Sequence, residues 1–204
     1  MLKKIFYAVL LGAGMAACLS QQAEDEETAT ATESPMLPGP TEEAVAQPDP
    51  ALFVVGKQRV GNIQIGMPIK QMREQIAPGL SIKDTTLNLE GTQSTAYVLR
   101  PEDQPKGILV EQACEENCHV WRISVLNPDF KTAKGIGIGS KYGELQQAYN
   151  IQSVTFEEGN LVALSPGSGM SFILEHNSLP SDQLTRLDAS TVPANLLIKK
   201  ILVY

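Results

Sequence analysis

The sequence predicts an α+β fold made of two similar helix-plus-antiparallel-sheet units in tandem, residues 51–130 and 131–204. Two observations favour this class. The pattern of the segment VGNIQIGMPIKQMREQI, near residue 66, recurs 73 residues later in KGIGIGSKYGELQQAYN. After each copy the spacing of apolar residues changes from helical to alternating, as in a helix followed by strands joined in hairpins.

Residues 1–17 have the form of a secretory signal peptide. The basic start MLKK precedes the apolar run IFYAVLLGAGMAA, which is too short to span a bilayer. Cys18 follows MAA, and this junction resembles the lipobox of bacterial lipoproteins, with methionine in place of the usual leucine. The resemblance implies cleavage before Cys18 and lipidation of its sulfur and new N-terminus, palmitate included. An ordinary cleaved signal with an incidental cysteine is the alternative.

The residues after Cys18 predict the membrane to which the protein is anchored and a tether between the anchor and the folded domain. Leu19 stands where aspartate usually retains such proteins in the inner membrane, so we expect an outer-membrane anchor with the domain facing the periplasm. Residues 18–50 predict a disordered tether, because the stretch 21–50 has eight acidic residues, five prolines and no basic residue. This stretch explains the net charge of −7, since residues 51–204 hold 14 basic and 15 acidic residues. No basic stripe of the kind that binds nucleic acid is present.

Each unit is expected to begin with a strand that ends in a glycine corner and leads into a helix. Ile63, Ile65 and Gly66 align with Ile136, Ile138 and Gly139. The aligned apolar residues of the helices are Ile69, Met72 and Ile76 in the first and Tyr142, Leu145 and Tyr149 in the second. Spacings of three and seven place each set on one helical face. Pro68 suits a first helical turn, and Ser140 suits an N-cap.

Four alternating runs follow each helix and predict strands. They are LSIKDTTLNL, STAYVLR, KGILVEQA and HVWRISVL in the first unit, and SVTFEE, LVALS, MSFILEH and LIKKILVY in the second. Both units close on a basic–Ile–x–Val strand. Residues 178–196 interrupt the second unit, and we expect a loop or short helix there.

The stretch GIGIGS at residues 135–140 is similar in composition to a phosphate-binding loop. Such a loop needs a lysine placed after the glycine cluster and a parallel βαβ setting, whereas Lys141 follows the serine here and the strands ahead suggest antiparallel hairpins. Gly135 and Gly137 align with Asn62 and Gln64, which suggests that both glycines are dispensable. We therefore interpret Gly139 as the residue that lets the chain turn and the helix pack closely.

The segments WRISVLNPDFKTAKGIGIGSKYGELQQAY and LPSDQLTRLDASTVPANLLIKKILVY, with the lipobox and tether, resemble bacterial envelope lipoproteins regulated by the sigma-E stress factor, whose domain has no known function. The helix-plus-sheet unit is also similar to outer-membrane assembly lipoproteins and to β-lactamase inhibitor proteins, whose surfaces bind other proteins. The resemblance implies an envelope location and transfers no catalytic residue.

Cys114 and Cys118 in ACEENCHVW flank a three-residue loop between two predicted strands. In an oxidising envelope compartment this arrangement predicts a structural disulfide. A redox-active pair is the alternative, although such pairs usually lie at a helix N-terminus, and Glu115 and Glu116 would raise the thiol pKa.

Other candidate residues have structural interpretations. His119 and His176, the only histidines, do not form a zinc spacing with the cysteines, so no metal site is expected. Trp121 is predicted to lie in the core, and it becomes a binding candidate only if the strand points it outward. Glu157 and Glu158 are neighbours on a strand, which is poor geometry for acid–base chemistry.

The serines of SPGSGMSF lack the G-x-S-x-G pattern of a catalytic elbow. The chain is therefore expected to be a non-catalytic envelope lipoprotein without a cofactor, which binds an envelope protein or has a structural role. An inhibitor or ligand-binding lipoprotein and a redox or stress sensor using Cys114 and Cys118 are the alternatives.

Overall fold

The computed structural model describes residues 49–89 and 91–204. The predicted signal peptide, the lipidation of Cys18 and nearly all of the tether lie outside these residues. Within the described part, the chain forms twelve strands, numbered in chain order: β1 Val54–Gly56, β2 Arg59–Val60, β3 Ile63–Gln64, β4 Leu80–Leu89, β5 Thr92–Pro101, β6 Ile108–Cys114, β7 Cys118–Val125, β8 Lys131–Thr132, β9 Ser153–Glu157, β10 Asn160–Ser165, β11 Met170–Leu174 and β12 Ile198–Val203.

The helices of the described part are short. They are α1 Ile69–Glu74, α2 Tyr142–Ala148 and α3 Ser181–Leu184. Two 3₁₀ turns lie elsewhere, Pro50–Phe53 before β1 and Pro166–Ser168 between β10 and β11. None of these helices is long and apolar enough to cross a bilayer. Both α1 and α2 lie where the helical spacing of apolar residues predicted a helix, but each completes only about two turns.

The prediction of two helix-plus-sheet units in tandem is wrong, because the molecule is mostly β. Eight strands form one antiparallel sheet in the order β4-β5-β6-β7-β12-β11-β10-β9. The two closing strands pair with each other, Ile123 opposite Val203 and Val125 opposite Ile201. A closing strand needs a hydrogen-bonding partner on its free edge, and each closing strand supplies that partner for the other. Both halves of the sequence therefore contribute to a single sheet.

A second, small sheet was not predicted. Its order is β3-β2-β1-β8, with β8 parallel to β1. These strands have two or three residues each, which is too short for an alternating pattern to be recognised. All eight longer predicted runs, by contrast, coincide with strands of the main sheet.

The main sheet has two different faces. On the inner face, Met72 of α1 and Leu145 of α2 are fully buried in one apolar core that includes Val110, Ile123 and Phe172 of the sheet. Burial of apolar surface between helices and sheet is the main stabilising term of such a layered fold. The outer face, on the side of the sheet away from this core, carries the alternate residues of the same strands. Ile173 lies there and is buried without belonging to the core cluster.

The two glycine corners have similar backbone conformations, but glycine is needed there for a different reason from the one expected. Gly66 and Gly139 have φ of 83° and 84°, where side chains other than glycine are strained. A Cβ on either would meet nothing within 4 Å, so close packing of the helix is not the cause. Gly135 and Gly137 are not dispensable. Gly135 has φ of 78°, and a Cβ on Gly137 would lie 2.7 Å from the Phe130 carbonyl oxygen.

The helix N-termini also differ in detail from the prediction. Pro68 is the N-cap of α1 and precedes its first turn. Lys141, not Ser140, is the N-cap of α2, and its N–H donates to Glu144 Oε2 at 2.9 Å. The Ser140 hydroxyl instead accepts from the N–H of Gly137 at 3.1 Å, which closes the glycine turn.

The segment 178–196 contains α3 and then a loop, as expected, and the loop is fixed to α2. The hydroxyl of the buried Tyr142 donates to the Ala189 carbonyl at 2.8 Å, and Gln146 Nε2 donates to the same oxygen at 2.7 Å. Beside this contact, Asp188 Oδ1 accepts from the hydroxyl and N–H of Ser190 and from the N–H of Thr191. These hydrogen bonds, that of the Ser190 hydroxyl first, lower the pKa of Asp188 to about 2.

The lowered pKa of Asp188 predicts a pH-dependent contribution to stability. A carboxylate whose folded pKa lies below its unfolded value stabilises the fold above the unfolded pKa, here 3.8, and loses that contribution as pH falls through about 2. We expect Asp188→Ala to lower the urea midpoint at neutral pH, with the difference from wild type vanishing as pH approaches 2. A difference that stays constant over this range would contradict the prediction.

Candidate functional site

The predicted disulfide between Cys114 and Cys118 is confirmed. It joins the ends of β6 and β7 with a Cα–Cα distance of 4.1 Å, and both residues are exposed. The pair lies at a hairpin and not at a helix N-terminus, the usual place of a reactive pair. The disulfide therefore closes the hairpin loop. The redox alternative stays a prediction.

The histidines lie apart from each other and from any cluster of ligands. His119 is in β7 beside Pro68, whereas His176 follows β11 and packs edge-on against Phe156. Nε2 of His176 is 3.0 Å from the Gly159 carbonyl oxygen. Within the described residues, no group of three His, Cys, Asp or Glu side chains could hold a metal ion.

Trp121 is not in the core, contrary to the prediction. It is 48% exposed, the most exposed large apolar side chain of the described part. The cause is a β-bulge: Glu111 pairs with Arg122, but the next residue, Gln112, pairs with Val120. Trp121 is thus the extra residue of β7. A bulge places two consecutive residues on the same side of the sheet, so Trp121 and Arg122 both avoid the core.

The closing strand of the second half has a matching irregularity. Ile173 pairs with Lys200, whereas Leu174 pairs with Ile198, which leaves Lys199 as the extra residue of β12. Ile198 and Ile201 on either side are buried in the core. Lys199 and Lys200 are therefore both turned away from the core, as Trp121 and Arg122 are. The two bulges concentrate basic side chains at the middle of the outer face.

Arg122 and Lys200 line a cleft of about 420 Å³ on the outer face, whereas the extra residues of the bulges, Trp121 and Lys199, do not. Its charged residues are Glu111, Arg122, Lys200, Glu157 and Glu158, and its apolar residues include Leu109, Val162, Ile173 and Leu202. Leu87 of β4 also lines it, although β4 and β9 are opposite edges of the sheet. The sheet must therefore curl around the cleft.

The cleft contains a nearly buried ion pair. Arg122 Nε and the η-nitrogen Nη2 donate to the two carboxylate oxygens of Glu111 at 2.8 and 2.6 Å. Glu111 is only 5% exposed, and the Arg122 guanidinium also lies 4.7 Å from the centre of the Trp121 ring. A bidentate ion pair of this kind holds both side chains in one orientation. It also occupies both oxygens of Glu111.

Lys200 is the other cation of the cleft and is partly buried. Burial lowers the pKa of its ammonium group from the ordinary 10.5, the negative charge of Glu111 opposes this effect, and the positive charges of Arg122 and Lys199 add to it. Among the described residues, Lys200 forms no ion pair and its ammonium donates no hydrogen bond to a protein atom. The group is thus partly desolvated and has no anion within ion-pair distance among the described residues.

Glu157 and Glu158 line the same cleft at its β9 side. Glu157 is the last residue of β9, and Glu158 has a φ of 49° in the turn that leads to β10. Both carboxylates are exposed. They give the β9 side of the cleft a negative charge.

An apolar floor that includes Ile173 and Val162 separates the two charged ends. One row across four strands consists of Lys200, Ile173, Val162 and Thr155. The Thr155 hydroxyl is buried without a hydrogen-bond partner. Tyr204 borders the neighbouring row, where its hydroxyl lies 2.9 Å from Ser171 Oγ. The side chains lining the cleft offer charge, polar groups and apolar surface for binding, and none of them is a histidine or a cysteine.

Sequence reasoning missed this cleft, although a signal for it exists. In a strand with one buried face, apolar residues recur at every second position. The runs 120–123 and 198–201 instead have two non-core residues between apolar ones, as V-W-R-I and I-K-K-I. This break in the alternation marks both bulges. It does not reveal that the two strands are neighbours.

Comparisons with known proteins add information about the fold. No protein-family model and no curated protein matches the chain. The crystal structure of the uncharacterized protein YfeY from Escherichia coli is similar, with a TM-score of 0.55 and 16% identity, over 74% of this chain and 98% of that one. Similarity at this identity shows the fold alone.

Proposed function

We propose that this chain is a non-catalytic, lipid-anchored protein of the bacterial envelope, attached to the outer membrane through Cys18, that binds another protein on the outer face of its main sheet. The anchor and location rest on the sequence of the first 50 residues. The binding role rests on the cleft between the two bulged strands.

One observation carries the binding role: the outer face presents a cleft lined by Arg122, and outside the cleft lining it exposes Trp121 and Tyr204. Trp, Tyr and Arg are the residues most enriched among those that contribute strongly to binding. Here Trp121 is exposed and is held by its contact with Arg122, and Tyr204 is exposed and is held by Ser171. Side chains that are already fixed lose little conformational entropy when a partner binds.

Site-specific photo-crosslinking in living bacteria tests this proposal. A photoreactive amino acid placed at Asn160, which lines the cleft, should give a discrete crosslinked product with one envelope protein. The matched control is Lys70, an exposed residue of α1, where we expect no such product. The product at Asn160 should disappear when Trp121→Ala is added, with the level and solubility of the protein unchanged. No product at Asn160, or the same product at Lys70, would overturn the proposal.

A further inference from the structure

The charges of the cleft specify the kind of segment that it accepts. Lys200 is partly buried at one end of the row across the sheet, and no anion contacts it within the described chain. A desolvated ammonium group without an anionic partner is unfavourable, and a carboxylate from outside would relieve that penalty. This end of the cleft therefore favours a bound carboxylate.

The carboxylates already in the cleft do not fill this role. Both oxygens of Glu111 are held by Arg122 at 2.8 and 2.6 Å. Glu157 and Glu158 lie on the β9 side and form no ion pair with Lys200. They favour a cation at their own end. The cleft is thus dipolar, positive at β12 and negative at β9.

The spacing of the two ends follows from the pairing of the strands. Lys200 in β12 and Thr155 in β9 are joined by a row of paired residues through β11 and β10, and three strand separations amount to about 14 Å. An extended chain advances roughly 3.4 Å per residue, so about four residues span the distance from Lys200 to Thr155. Glu157 lies two residues further along β9, within reach of a long basic side chain from there. Residues four apart in an extended chain point to the same side. Ile173 and Val162 lie between the ends and would contact an apolar residue at the midpoint.

We propose that the cleft binds an extended segment of the partner protein that carries an acidic side chain and, four residues away, a basic one. The carboxylate contacts Lys200, the basic group contacts Glu157 and Glu158, and an apolar residue midway packs on Ile173 and Val162. This inference rests on the proposed binding function and assigns the chemistry of recognition to named residues.

A synthetic peptide tests the assignment directly. The probe is acetyl-Thr-Glu-Thr-Val-Thr-Lys-Thr-amide, titrated into the full-length protein in detergent and followed by the NMR signals of the lysine side chains. We expect a saturable shift of the Lys200 signal. Replacing the glutamate of the peptide with glutamine, or Lys200→Met in the protein, should each weaken binding roughly tenfold, as for loss of a charge-assisted hydrogen bond.

Matched controls separate recognition from general electrostatics. Lys199→Met removes the adjacent lysine, which does not line the cleft, and should change affinity by less than about twofold. A peptide with its glutamate and lysine adjacent should bind roughly tenfold more weakly, because the two side chains then point to opposite sides. Equal loss with Lys199→Met, equal binding of the adjacent-charge peptide, or equal binding of acetate alone would overturn the inference.

The outcome can be separated from that of the proposed function. If crosslinking at Asn160 captures an envelope protein but the product survives Lys200→Met, protein binding stands and the assigned chemistry fails. If the peptide binds as expected but no product forms at Asn160, the cleft recognises this chemistry and the proposed partner binding fails. Urea unfolding of Lys200→Met should show that the variant remains folded, since it removes only a partly desolvated charge.

Discussion

Arg122→Met is expected to lower the free energy of unfolding by about 2 kcal/mol, because it leaves the Glu111 carboxylate buried without its cation. Glu111 is 5% exposed, and both of its oxygens are bonded to Arg122. Loss of one member of a fully buried pair costs about 3 kcal/mol or more. The side chain of Arg122 is 28% exposed, so solvent reduces the value. Urea unfolding at neutral pH measures the change.

The matched controls use the second ion pair of the described residues. Arg73 and Asp84 form a pair in which the side chains are 42% and 60% exposed, and Arg73→Met should cost less than about 1 kcal/mol. The double variant Glu111→Leu/Arg122→Met should recover most of the stability lost in Arg122→Met, because no unpaired charge remains. If Arg122→Met were no more harmful than Arg73→Met, the ion pair would not be the constraint that we infer.

The sequence predicted the positions of the individual strands more successfully than the pairing of strands that are far apart in the chain. Alternation of apolar residues is a property of each strand, and it located all eight strands of the main sheet. Pairing between β7 and β12 joins residues 76 to 80 positions apart along the chain, and no pattern within either strand records that partnership. This long-range pairing is why two predicted units became one sheet.

The candidate site shows the same division between local and long-range information. The disulfide was predictable because Cys114 and Cys118 are separated by one short turn. Trp121 was placed in the core because an aromatic residue in a strand usually lies there, and the bulge in β7 turns it outward instead. The cleft needs the pairing of β7 with β12 and the curl that brings β4 and β9 to one cavity. Neither of these is visible in a single segment.

The glycines also show that alignment of the two sequence copies cannot reveal every position where glycine is needed. The aligned glycines Gly66 and Gly139 share a positive φ, which a repeat can reveal. Gly137 has no glycine counterpart, and its role depends on the carbonyl of Phe130 and the side chain of Lys131 nearby. A close approach of this kind is a property of packing. It becomes evident only when the backbone positions are known.

Gly107→Ala, at the residue that precedes β6, is expected to disturb the main sheet strongly. A Cβ at this position would lie 2.0 Å from the Leu99 carbonyl oxygen and 2.6 Å from the Cα of Arg100. Both are backbone atoms of β5, so no rotation of a side chain can relieve the overlap. Leu99 pairs with Ile108, the residue after Gly107, so the strands must separate where β6 begins. We expect a loss of about 3 kcal/mol in unfolding free energy, the upper range for overpacking.

Gly167→Ala is the matched control for this substitution. Gly167 lies in the exposed turn Pro166–Ser168, its φ is not positive, and a Cβ there would meet nothing within 4 Å. Alanine at such a site restricts the unfolded chain and should leave stability unchanged or raise it by less than about 1 kcal/mol. Urea unfolding of both variants measures the difference, which should be about 3 kcal/mol. Equal stability of the two variants would mean that β5 and β6 do not approach as closely as the structure shows. If hydrogen-exchange protection in Gly107→Ala fell only at Leu99 and Ile108, the strain would be located where β5 pairs with the start of β6.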